Sequence, residues 1–204
     1  MAPYLETVKS FADVPITDAG VDTLAFLEAS QGVVSLFDLL GSAAFAAVQS
    51  DLRGNIAKVR ARYESHPAES STLELLVVNE KGEKKRTATE GLMWLLRGLA
   101  FTCNALLAAQ ANQTEELSAA FTKSYEGTLK KFHNFVVKGI FAVAMKACPY
   151  RADFYAKLAA DPAGGAPVPA DKLNEELNKW LAALNGIVKR LEDFYEKGAH
   201  NKGF

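Results

Sequence analysis

Apolar residues return every third or fourth position along most of this chain, which is the spacing of amphipathic helices, and no convincing pair of strands stands out. Leu24, Leu27, Val34, Phe37, Leu40 and Ala44 mark a first helix, with Asp22 placed to cap it and Gly32 and Gly41 as candidate interruptions. A second helix is predicted over 50–63, opened by Ser50 and Asp51 and closed by Ser65-His66-Pro67. Residues 72–79 fit a short helix or a strand, and their helical neighbours decide for helix. Thr87-x-x-Glu90 reads as a capping box that opens a long helix to about Ala111. The next helix is predicted to start at Thr114 and to run unbroken through Tyr125, Leu129, His133, Val137 and Ile140 to Met145. A short helix over 151–160 and a Pro/Gly-rich loop follow. The last amphipathic helix covers 170–197, with Leu173, Leu177, Trp180, Leu184, Ile187, Leu191 and Phe194 facing inward. Residues 1–20 form an arm with turns, and 200–204 a frayed end. The expectation is one all-α domain over 1–204, of seven or eight helices, without a sheet or repeat.

Composition changes this picture little. With 204 residues, 49% of them apolar, and a formal charge of −1, the chain offers a sizeable core and no basic excess for nucleic acid. Cys103 and Cys148 stand alone in apolar contexts without metal-ligand spacing, so both are expected to be buried, with no metal or cofactor. The start, Met-Ala-Pro-Tyr-Leu-Glu, lacks the features of a signal peptide, and no apolar run reaches the ~18 residues of a membrane span. A reduced, cytoplasmic protein is expected.

Candidate chemistry sits on helix faces. On the predicted second helix Asp51, Asn55 and Lys58 share a stripe roughly 60° wide, bordered by Leu52, Ile56 and Val59. An acceptor, an amide and a cation in a row beside an apolar border suit the polar end of an amphiphile; a solvated face is the plain alternative. On the long helix Gly91, Trp94, Gly98, Phe101 and Ala105 share a face. Glycine in a helix costs ~1 kcal/mol against alanine, so close approach of another helix or of a ligand is implied beside the indole. His133 is the one histidine on an apolar face, where a core histidine bonded to a carbonyl is the ordinary reading.

Five segments in order resemble the glycolipid transfer protein family, and in particular its fungal members linked to heterokaryon incompatibility. They are Phe37-Asp-Leu-Leu-Gly-Ser, Asp51-Leu-Arg-Gly-Asn-Ile-Ala-Lys58, Thr89-Glu-Gly-Leu-Met-Trp-Leu-Leu-Arg-Gly-Leu99, Leu129-Lys-Lys-Phe-His-Asn-Phe-Val-Val137 and Ala147-Cys-Pro-Tyr-Arg-Ala-Asp-Phe154. The resemblance implies a two-layer helical sandwich that carries one glycosphingolipid, such as glucosylceramide, galactosylceramide or lactosylceramide, between membranes without chemistry. By analogy Asp51, Asn55 and Lys58 bind sugar hydroxyls and Trp94 stacks on the first sugar ring. Asp51 and His133 hold the ceramide amide, and Phe37, Phe45, Val48, Phe101 and Phe141 are candidates for the chain pocket. The residues agree: a sugar offers hydroxyls and a C–H ring face, and a buried amide needs both a donor and an acceptor.

Departures from the pattern narrow the expectation. Phe135 stands where animal members carry a tryptophan two residues after the histidine; about 200° from His133 on one helix, it is a candidate for docking to a membrane surface beside Lys131 and Lys138. The phosphate-headgroup branch has arginines at the positions of Trp94 and Gly98, so a sugar headgroup is implied here. The animal C-terminal tail has no match in Asn201-Lys-Gly-Phe204. Two other readings remain: a lipid sensor using the same site, and a glycolipid-cleaving enzyme, which would need a second carboxylate beside Asp51.

Overall fold

The computed structural model describes residues 3–41, 43–161 and 163–204; Ser42 of the first family segment and Pro162 of the loop lie outside them. Nine α-helices are found among the described residues: α1 (Pro3–Thr7), α2 (Thr23–Leu40), α3 (Ala46–Ser65), α4 (Leu73–Glu80), α5 (Thr87–Ala111), α6 (Leu117–Gly127), α7 (Phe135–Lys146), α8 (Arg151–Ala159) and α9 (Ala170–Lys197). The fold is the expected all-α sandwich. Two expectations about its edges fail. The N-terminal arm carries a two-residue antiparallel ladder, Ile16–Thr17 against Gly20–Val21. The C-terminal end is tied down rather than frayed: His200 is buried and stacks on Phe194 at 4.7 Å, and Arg86 donates to the carbonyls of His200 and Lys202.

Helix ends follow local chemistry where a cap is local. Asp22 caps α2 as predicted, its carboxylate accepting from the Ala25 N–H at 2.8 Å, and Gly41 ends that helix in the left-handed region at φ 67. The capping box at Thr87 does not form, because Thr87 is already helical. Its place is taken by Glu80, the last residue of α4, whose buried carboxylate accepts from the backbone N–H of Ala88 (3.0 Å) and from both the N–H and the hydroxyl of Thr89 (2.6 Å each). A charge at a helix start satisfies orphan N–H groups and the helix dipole together. α3 begins a turn earlier than predicted, so Ser50 and Asp51 lie in its second turn and have no capping role.

The largest correction concerns 114–145. The predicted single helix is two, separated at 128–134 by a tight turn over Lys130–Phe132. Asn134 caps α7 by accepting from the Val137 N–H at 3.0 Å, and His133 sits in extended backbone (φ −94, ψ 139) instead of on a helical face. The seven-residue break decides what the histidine can touch.

α5 is the central element, packed against α3, α6, α9 and α4. Its glycines serve α3: a Cβ on Gly91 would stand 2.9 Å from Lys58 Cβ, and one on Gly98 would stand 2.7 Å from Leu52 Cδ2. The room they make is thus filled by another helix, not left open beside Trp94. By length and mean hydropathy (1.3 and 1.5) α2 and α5 could each cross a membrane, contrary to expectation, but 61% and 72% of these stretches is buried inside the protein, which marks them as core helices. Cys103 is buried, and burial pushes its thiol up to about 12; Cys148 is only half-buried.

Candidate functional site

On α3 the predicted polar stripe forms a hydrogen-bonded row. Lys58 Nζ donates to Asn55 Oδ1 at 3.3 Å, and Asn55 Nδ2 donates to Asp51 Oδ2 at 3.2 Å. Asn55 is buried against α5, whereas Asp51 and Lys58 face solvent. Crowding by protein raises the Asp51 carboxyl above its ordinary value, and this outweighs the opposite pull of Lys58 and of the Asn55 N–H. Burial, not the Lys58 charge beside it, therefore sets the direction of the Asp51 shift. A carboxylate of raised basicity with one hydrogen bond made is a strong, partly unspent acceptor.

Trp94 stands on α5 one turn beyond Gly91, the point at which α5 touches Lys58 and the Asn55 carbonyl of the α3 row. The half-buried indole lies nearly parallel to the His133 imidazole (15°, centroids 6.3 Å apart) and meets the Phe132 ring edge-on at 6.0 Å. His133 and Asp51 are not bonded to each other. The His133 Nδ1 pairs with the Tyr125 hydroxyl at 3.1 Å, and burial, helped by Lys138, keeps its pKa below the ordinary imidazole value. Burial raises the Tyr125 phenol, so it keeps its proton and can donate to Nδ1. That assignment leaves Nε2–H as a free donor.

Behind His133 a chain of rings leads inward. His133 touches Phe141 (4.8 Å), Phe141 stacks on Tyr125 (4.6 Å, 13°) and meets Phe101 edge-on (5.8 Å). Phe101 meets Phe121 (5.5 Å), Phe121 meets Phe45 (6.2 Å), and Phe45 meets Phe37 (5.4 Å). Phe37, Phe45, Val48, Phe101 and Phe141 are all buried, as expected of a core or of a closed chain pocket. Phe135 is 90% exposed because it is the first residue of α7, not because it lies across a helix from His133. Val136, Ile140 and Val143 are exposed with it, among the exposed Lys131, Lys138 and Lys146. A surface groove of about 690 Å3 lies elsewhere, between α8 and the start of α9; its Arg151 and Tyr155 are spent on the Ala109 carbonyl and on Gln110.

Residues 21–160 match the model of the glycolipid transfer protein family. The chain belongs to that family. It is 48% identical over 192 residues to the glycolipid transfer protein of Aureobasidium melanogenum, covering 94% of this chain and 92% of that one. It superposes on the fungal glycolipid transfer protein HET-C2 with a TM-score of 0.87 at 47% identity, over 95% and 96% of the two chains. The glycolipid transfer fold of FAPP2, described as selecting simple glycosphingolipids, superposes with a TM-score of 0.85 at 31% identity, over 98% and 97%. The chain spans 37% of the length of human pleckstrin homology domain-containing family A member 8, to which it is 34% identical over 92% of its own length.

Within this glycolipid transfer fold the five residues expected to bind the sugar or the ceramide amide stand on three neighbouring parts: Asp51, Asn55 and Lys58 on α3, Trp94 on α5, and His133 in the break. Tyr125 is the functional candidate that reading the sequence missed. On a continuous helix it would lie two turns from His133, out of reach. Only the break folds the imidazole back onto it. Asn134, a preferred N-cap residue, was the available signal.

Proposed function

We propose that this chain, acting as one domain over 1–204, binds a single glycosphingolipid and carries it between membranes unchanged. The observation that supports this most is the meeting of an acceptor-rich row on α3 with an aromatic platform and a neutral histidine on the adjoining elements. A sugar ring lies on Trp94 with its hydroxyls on Asp51, Asn55 and Lys58. The ceramide amide is gripped from both sides: its N–H donates to Asp51, and its carbonyl accepts from His133 Nε2–H, the tautomer held by Tyr125. Neither polar half of the amide is then buried unpaired, which would cost ~1–3 kcal/mol. The hydrocarbon chains enter by parting the rings between Phe141 and Phe37, exchanging ring–ring contacts for ring–chain contacts at little cost in apolar burial. The candidate lipids are glucosylceramide, galactosylceramide and lactosylceramide.

A catalytic role fits the cluster poorly. Among the described residues it holds one carboxylate, and glycoside hydrolysis ordinarily requires two across the bond. The membrane enters through α7: Phe135, Val136, Ile140 and Val143 insert at a cytosolic surface while Lys131, Lys138 and Lys146 meet headgroups. Native mass spectrometry after incubation with glucosylceramide tests the whole reading. A one-to-one complex that releases intact lipid supports it; absence of binding, or release of free ceramide, refutes it.

A further inference from the structure

Arg97 stands three residues after Trp94 on α5 and is half-buried. Its guanidinium carbon lies 3.6 Å from the centre of the Phe132 ring and 4.5 Å from the centre of the indole. With another described residue it makes neither a hydrogen bond nor an ion pair; Glu192 acts on it only at longer range. Its N–H groups border an open cleft of about 590 Å3 between α5, the start of the break and α9, where they can stay solvated. A guanidinium placed this way packs into the corner where two rings meet edge-on. The second ring matters because Phe132 immediately precedes His133. Edge-on packing of Phe132 against Trp94 then completes a three-part cluster, Trp94, Arg97 and Phe132, which joins the helix carrying the platform to the stretch carrying the imidazole.

We infer that Arg97 is a positioning residue: by pinning Phe132 against Trp94 it fixes the spacing between indole and imidazole on which a joint grip of sugar and amide depends. This rests on the proposed headgroup site.

The test compares two soluble short-chain lipids, ceramide and glucosylceramide, by calorimetry. Their affinity ratio measures what the sugar adds. Arg97→Met keeps an unbranched stem and removes the plate; the ratio is expected to fall about tenfold, between the scales of an exposed and a desolvated cation–π contact. Phe132→Ala should do the same, and the double variant should be no worse than either single one, because all three break one cluster. Phe132→Tyr should keep the ratio. An NMR titration gives the readout that a loss of stability alone would not move: in Arg97→Met the imidazole of His133 should titrate closer to its ordinary value as the break loosens. A ratio held within twofold in Arg97→Met, or single losses that multiply in the double variant, would overturn the inference. Should Arg97→Met fail to fold, Arg97→Lys, which keeps charge without the plane, is expected to lose the ratio equally, and its retention would overturn the clamp. If the sugar adds nothing in the unaltered protein, the headgroup site itself fails and the clamp with it; if it adds affinity that Arg97→Met keeps, the clamp alone fails.

Discussion

Asp51→Asn separates binding from stability, because the same carboxylate is costly to the empty protein and valuable to the ligand. In the fold Asp51 accepts one hydrogen bond, from Asn55 at 3.2 Å, and its pKa is raised by crowding. A carboxylate has about four acceptor positions, so a sugar hydroxyl and the amide N–H can both be taken. Hydrogen bonds to a charged group contribute about 1.5–3 kcal/mol each. Asparagine keeps one acceptor oxygen but no charge, so roughly half of that pair, about 1.5–3 kcal/mol, is lost. Affinity for glucosylceramide should fall roughly 10- to 150-fold. Stability should move the other way. A carboxyl raised in the folded state binds its proton more tightly there than in the unfolded chain, so its ionisation removes stability as pH rises through the carboxylate range. Asp51→Asn should therefore be at least as stable as the parent at neutral pH, with the difference closing as pH falls and Asp51 protonates. Calorimetry with the lipid and urea unfolding at neutral and acidic pH check both halves. A variant that binds normally, or one less stable at neutral pH by more than a few tenths of a kcal/mol, would refute the reasoning.

Four further variants have expected outcomes. Tyr125→Phe keeps the stack on Phe141 but frees the His133 Nδ1, so affinity for soluble ceramide should drop about three- to tenfold at a stability cost of roughly 0.5–1.5 kcal/mol, read by calorimetry and urea unfolding. Gly91→Ala should destabilise by about 1–2 kcal/mol despite better helix propensity, since its Cβ would meet Lys58 Cβ at 2.9 Å and the Asn55 carbonyl at 3.4 Å. Gly54→Ala on α3, whose Cβ meets nothing within 4 Å, should stabilise by roughly 0.5–1 kcal/mol; equal melting shifts in the two variants would contradict the packing argument. Phe135→Ala should slow transfer between vesicles severalfold while leaving affinity for a soluble short-chain lipid unchanged, and a parallel fall in both would make Phe135 a packing residue.

The long helices were readable because their evidence is local and repeated. α9 has the limits read from the apolar spacing, and α5 ends where that spacing ends. What could not be read depends on partners far along the chain. The cap of α5 is a carboxylate from another helix, so the local Thr87–Glu90 pattern pointed to the wrong donor of stability. The break before α7 was hidden because apolar spacing continues on both sides of it, and Gly127 and Asn134 were too weak to outweigh that periodicity. Residue types at the candidate site were legible; the pairing of His133 with Tyr125 was not, because it follows from the break. The direction of the Asp51 shift is not legible for a related reason: sequence shows Lys58 one face-step away but not how much protein crowds the carboxyl.

The two tryptophans give this molecule an optical asymmetry. Trp180 is 3% exposed, meets Phe11 edge-on at 5.5 Å, and its indole N–H has no hydrogen-bond partner among the described residues. Such an indole emits from a dry, fixed environment, at the short-wavelength end of the tryptophan range. Trp94, half-buried beside a guanidinium and an imidazole, emits from a wetter and more polar one. Emission is therefore the sum of a constant blue component and a redder component that alone responds to what lies on the platform. The shape of the spectrum, more than its total intensity, carries the occupancy, and Trp180 serves as the internal reference against which it is read.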